Sequence, residues 1–177
     1  MDRYAVITEQ LTRQFGSIVA VDRVSMKIKR GSIYGFLGPN GSGKSTTIRM
    51  LCGILEPTAG SGQVLGFDIV RESEIVKSKI EKKKKKFGLY EDLTILENLQ
   101  FYAGLYNLPK DIYHKRIREM LEMAGLETRQ KQLAGNLSGG WKQRLALGCA
   151  IIHSPAMVFL DEPTGGVDPL SRRMFWD

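Results

Sequence analysis

At 177 residues the chain has the size of one domain, with enough length to bury a sizeable core. Hydrophobic residues make up 42% of it and charged residues 25%, ordinary values for a soluble globular protein, and apolar runs such as Met157-Val158-Phe159-Leu160 are far too short to span a bilayer. The net charge of +7 invites a nucleic-acid or membrane-surface reading, but five lysines stand together at residues 82–86, so the excess is local rather than spread over a binding face.

Met1-Asp2-Arg3-Tyr4 lacks the charged-then-apolar layout of a secretory leader. Cys52 and Cys149 have no metal-ligand spacing and are expected in the core, so the chain is expected on the cytoplasmic side. In chain order, Ala5-Val6-Ile7 and Val24-Ser25-Met26-Lys27-Ile28 have strand composition, the second with half-buried alternation. Phe15-Gly16 and Val19-Ala20-Val21 lie between them. After Gly31-Ser32 the run Ile33-Tyr34-Gly35-Phe36-Leu37 predicts a buried strand, and Thr47-Ile48-Arg49-Met50-Leu51-Cys52 a helix. Residues 56–62, Glu-Pro-Thr-Ala-Gly-Ser-Gly, read as a breaker before a short strand at Gln63-Val64-Leu65.

From about residue 95 the pattern becomes helical. Leu96, Leu99, Ala103 and Tyr106 recur at helical spacing, as do Ile112, Ile117, Met120, Leu121 and Ala124; Pro109 separates the two helices and Gly125 ends the second. Residues 95–136 therefore read as a helical insertion between an N-terminal core segment, 1–94, and a closing segment, 137–177. The latter holds a helix from about Trp141 to His153 and a strand at Met157-Val158-Phe159-Leu160.

Between the predicted strand and helix stands Gly38-Pro39-Asn40-Gly41-Ser42-Gly43-Lys44-Ser45-Thr46, which fits the phosphate-loop pattern G-x-x-x-x-G-K-[ST]. Its glycines allow backbone conformations that a side chain blocks, so successive amides converge on an anion at a helix start. Lys44 is placed to reach the β- and γ-phosphates, and the Ser45 hydroxyl to ligate Mg²⁺. The bland alternative, a glycine-rich surface turn, leaves both flanks unexplained. Further on, the strand at residues 157–160 delivers Asp161 and Glu162 at its C-terminal end, where ligands bind in open α/β sheets. Asp161 could hold Mg²⁺ and Glu162 polarise the attacking water; the plainer reading is an acidic cap on the turn at Pro163-Thr164-Gly165. Leu137-Ser138-Gly139-Gly140 before a helix is either a second anion cradle or simply an N-cap.

The order of these motifs resembles the nucleotide-binding domains of ATP-binding cassette (ABC) transporters, over nearly the whole chain. Residues 38–46 match the family's phosphate loop, Leu137-Ser138-Gly139-Gly140 its signature, Asp161-Glu162 its strand carboxylates, and Gly165-Gly166-Val167-Asp168 the loop that crosses between subunits. Phe15 stands where the family places an aromatic that stacks on adenine; core packing is the alternative. Phe36-Leu37-Gly38-Pro39-Asn40-Gly41, Leu89-Tyr90-Glu91-Asp92-Leu93-Thr94 and Gly166-Val167-Asp168-Pro169 resemble ATP-binding subunits of bacterial exporters with a separate permease. The resemblance implies an α/β fold: a P-loop NTPase core with an N-terminal antiparallel β subdomain and an inserted helical subdomain, here C-terminally truncated. It implies ATP and Mg²⁺ as cofactors, and Lys44, Ser45, Asp161 and Glu162 as the working group. It also implies head-to-tail pairing with a second ATP-binding domain, a membrane permease as partner, a place on the cytoplasmic face of the membrane, and no nucleic acid. Each ATP would lie between one subunit's phosphate loop and the Ser138-Gly139-Gly140 of the other. A catalytically impaired nucleotide-binding module and a soluble non-transport ATPase are the alternatives.

Three positions depart from the pattern. The fifth signature residue, usually Gln, is Trp141, a change some exporter ATPases of this type share. The glutamine expected to sense γ-phosphate falls at Lys85, inside the lysine block; buried unpaired ammonium groups cost several kcal/mol each. That segment is solvated or disordered, forms a polybasic patch for anionic lipid, or departs from the natural sequence; intact motifs on both sides favour the first and last. The family's later histidine is expected beyond Asp177, and neither His114 nor His153 takes its place.

Overall fold

A computed structural model describes residues 3–83 and 88–160 as two compact units that divide after Lys82. In the first unit, β1 (Tyr4–Phe15) and β2 (Ile18–Lys29) form a long antiparallel hairpin. The two-residue connection at Gly16 and Ser17 needs a positive φ, and Gly16 supplies it at +56°. The strands predicted at residues 5–7 and 24–28 are present but longer, because pairing continues to Phe15↔Ile18. β3 (Ala59–Val64) joins the other edge of β1, and β4 (Phe67–Asp68) pairs with β3, giving the order β2-β1-β3-β4.

β3 corrects the breaker predicted at residues 56–62. Ala59, Ser61 and Gly62 pair with Thr12, Glu9 and Thr8, so the glycines serve close approach rather than a loop. Gly60 has φ +79°, and a Cβ there would come within 2.2 Å of the Gln10 carbonyl oxygen. The segment before the phosphate loop is a second correction. Residues 33–37 form no strand, and Ile33 and Leu37 are 92% and 97% exposed. Their apolar composition favours an extended chain, but a buried parallel strand also requires neighbours to accept its backbone hydrogen bonds. Among the described residues none does so.

The remaining elements of this unit are α1 (Lys44–Leu51), α2 (Ser73–Lys79) and β5 (Ile80–Lys83), whose last residue falls past the division. α1 begins three residues before the predicted helix and buries Ile48, Met50 and Leu51, with Cys52 buried at its end. β5 carries regular strand backbone from buried Ile80 through Lys82 and Lys83, the first two lysines of the block. Lys85 lies outside the described residues.

The second unit is helical, with α3 (Ile95–Leu105), α4 (Lys110–Ala124), α5 (Gly139–Ile151) and the strand β6 (Met157–Leu160). The predicted helices and their stops are all observed. Thr94 and Glu97 form a reciprocal capping box on α3, Pro109 caps α4, and Gly125 ends it in the left-handed conformation. Leu99, Ala103, Ile117, Leu121, Leu145 and Cys149 meet in one core, so α5 packs with both α3 and α4. Asn98, fully buried in α3, donates to the Tyr90, Leu93 and Thr94 carbonyls and accepts from the Tyr90 amide. That one side chain fastens residues 90–94 to the helix. No helix among the described residues is long and apolar enough to cross a membrane.

Candidate functional site

The first unit presents the phosphate loop at the N-terminus of α1. Gly43 is the N-cap, with φ +85°, and a Cβ on it would lie 2.3 Å from the Ala20 carbonyl oxygen. Only glycine fits both the conformation and the approach. The Gly43 carbonyl accepts the Thr47 amide at 2.8 Å and the Thr47 hydroxyl at 3.0 Å, which fixes the first turn. Gly41 also has positive φ, +84°, and Ser42 donates its amide to the Pro39 carbonyl at 3.3 Å. No side chain caps α1 and no acidic residue stands in its first turn. A helix start with neither a side-chain cap nor an acidic residue suits an anion, because its dipole favours negative charge.

Lys44 folds back over this loop. Its Nζ donates to the Gly38 and Pro39 carbonyls, both at 2.6 Å, with the Ser42 hydroxyl at 3.4 Å. The ammonium is thus held over the turn at residues 38–42. Ser45 is the next helix residue and is exposed; its hydroxyl is the hard oxygen donor that suits Mg²⁺. Asn40 and Thr46 complete the motif around these residues.

Phe15 ends β1 and is 44% exposed. It belongs to the same unit as the loop. The hairpin reaches the loop at Ala20 and Val21, which bear on Gly43, and Val21 pairs with Arg13 two residues before Phe15. Sequence reasoning passed over Arg13. Its guanidinium lies 4.5 Å above the Phe15 ring, and its Nη1 donates to the Glu56 carbonyl at 2.8 Å. The spacing of a cation two residues before an exposed strand-end aromatic was the available signal.

In the second unit Ser138 is the N-cap of α5, but its side chain makes no capping hydrogen bond. Ser138 and Gly139 are exposed, and a Cβ on Gly139 would meet nothing within 4 Å. This end of the helix thus presents a hydroxyl and a glycine backbone, with no acidic residue in the first turn. Trp141 is half-buried; the Arg129 and Arg144 guanidinium groups lie 5.2 and 5.5 Å over its ring, and it sits close against Gly125 at the end of α4. The signature departure is therefore a packing residue between α4 and α5. Asp161, Glu162 and Asp168 lie outside the described residues, and among those described no group of His, Cys, Asp and Glu could hold a metal ion.

The family described as ABC transporter matches residues 21–165. The chain is 46% identical over 168 residues to the probable multidrug ABC transporter ATP-binding protein YbhF of Escherichia coli (strain K12), covering 95% of this chain and 29% of that protein. It is 40% identical over 163 residues to the bacitracin transport ATP-binding protein BcrA of Bacillus licheniformis, covering 92% and 52%. Among solved structures, cbiO1 from Clostridium perfringens, part of the ABC transporter complex cbiONQ, superposes with a TM-score of 0.83 at 28% identity, over 98% of this chain and 71% of that one. The chain spans about half the length of BcrA and less than a third of YbhF. Loop, capped helices and antiparallel sheet thus agree with the match, and the chain belongs to the ABC transporter family, as an ATP-binding domain with a mixed α/β fold.

Proposed function

We propose that this chain binds Mg²⁺·ATP at residues 38–46 and hydrolyses it to drive export through a separate membrane permease. The observation that carries the reading is the loop itself: a left-handed Gly43 pressed against Ala20, a helix start without a side-chain cap, and the Lys44 ammonium held over the turn. The amides of residues 41–46 wrap the β-phosphate, and Lys44 exchanges its carbonyl partners for β- and γ-phosphate oxygens. Ser45 and Asp161 hold the Mg²⁺, which neutralises charge on the phosphate oxygens. Phe15 stacks on the adenine. Glu162 orients and deprotonates the attacking water, since hydrolysis depends on positioning and charge more than on covalent chemistry.

Ser138, Gly139 and Gly140 meet the γ-phosphate bound to a second copy, so that ATP closes a head-to-tail pair. Asp168 lies in the loop that crosses between the two copies. Closure is then a ligand-driven population shift, transmitted to the permease at the cytoplasmic face of the membrane. The export direction draws on the name of a relative 36% identical over 169 residues, the Nod factor export ATP-binding protein I of Ralstonia nicotianae. Phosphate release from Mg²⁺·ATP tests the chemistry. The Glu162→Gln protein is expected to keep its ATP affinity and lose turnover by at least about 100-fold. Wild-type turnover in that variant would remove Glu162 from its role.

A further inference from the structure

The exposed aromatic at the hairpin end has a cation behind it, and that cation is tied to the segment following the phosphate-loop helix. Arg13 is half-buried on β1, with its guanidinium 4.5 Å above the Phe15 ring. One arm, Nη1, donates to the Glu56 carbonyl at 2.8 Å, and Nε is buried with no hydrogen-bond partner among the described residues. The ring is therefore a main partner of this cation, as expected for a weakly hydrated guanidinium beside an aromatic face. The neighbouring backbone is fastened too. The Thr58 amide donates to the Thr12 carbonyl at 2.8 Å, and the Thr58 hydroxyl accepts the Gln14 amide at 3.1 Å. Residues 56–58 leave α1 after Leu51, so helix, strap, Arg13 and Phe15 form one chain of contacts.

We infer that Arg13 is a positioning residue for the nucleotide base: it holds Phe15 by one face and leaves the opposite face to receive a purine ring. This rests on the adenine-stacking reading of Phe15 and adds to it. A strand-end phenylalanine that is 44% exposed would otherwise sample several rotamers and lose that freedom on stacking. The cation removes the freedom beforehand, and it acts on the base alone, because the triphosphate is held by other residues.

Calorimetry with Mg²⁺·ATP and with inorganic tripolyphosphate, which lacks the base, separates the possibilities. Arg13→Gln is expected to weaken ATP binding about fivefold while leaving tripolyphosphate affinity unchanged. Arg13→Lys, which keeps a cation over the ring, should recover part of the loss. Phe15→Ala is expected to weaken ATP about tenfold, again with tripolyphosphate unaffected. If Phe15→Ala loses ATP affinity and Arg13→Gln does not, the role of Arg13 is overturned and the stacking reading stands. If neither variant changes ATP affinity, the stacking reading falls as well. Equal losses for ATP and tripolyphosphate in Arg13→Gln would mark a merely structural residue and also overturn the inference.

Discussion

Gly43 shows how one residue can join fold to function. Its φ of +85° and its contact with the Ala20 carbonyl leave no volume for a methyl group, yet that conformation turns the helix-start amides outward. Gly43→Ala is therefore expected to destabilise the chain by about 2 kcal/mol or more, through strain and backbone displacement. A urea titration would show a lower midpoint at constant slope; an unchanged midpoint would mean the loop relaxes freely around the methyl. The motif was legible at this scale because each of its residues answers a local demand. Arg13 and Asn98 were not legible, because their roles depend on partners 43 and 8 residues away that no local pattern specifies.

His153 carries a pH prediction of the same kind. It stacks on Tyr106 with centroids 3.8 Å apart, and burial, with the Arg116 charge added, lowers its pKa below the ordinary 6.5. The folded state therefore resists the proton that the unfolded chain accepts. Its contribution to stability is complete above pH 6.5 and is lost as the pH falls through and below that value. His153→Phe keeps a ring for the stack and removes the titration. The urea midpoint of the wild type should fall more between about pH 7.5 and about pH 5.5 than that of the variant; equal falls would contradict the assignment.

Elements were legible in proportion to how much of their cause is local. α3 and α4 announced themselves through apolar spacing, Pro109 and Gly125: α4 runs between those two residues, and α3 ends shortly before the proline, at Leu105. The strands were harder. Residues 33–37 have the composition of a buried strand but find no pairing neighbours among the described residues, whereas Gly60 and Gly62 belong to β3 because β1 takes their backbone groups. Helices satisfy their hydrogen bonds within the segment, while strands depend on distant chain, so periodicity serves the first better than the second. Trp141 illustrates the same limit inside a helix. As a departure from the signature it gave no hint of its place between α4 and α5, which its contacts with Arg129, Arg144 and Gly125 define.

At the scale of the whole molecule, each unit has its own helix start without a side-chain cap, one with Lys44 over it and one with Ser138 at it. The same design, main-chain amides at a glycine-rich helix start, occurs twice in a chain whose family uses ATP. The transport roles printed for the relatives belong to proteins longer than this chain. The nucleotide is the part that the chain's own residues must hold. Calorimetric titration of the folded chain with Mg²⁺·ATP tests this most directly: the wild type should bind, and Lys44→Ala should bind at least about tenfold more weakly, through loss of a charge-assisted contact. No heat of binding to the wild type, or equal affinity in the two proteins, would contradict the account.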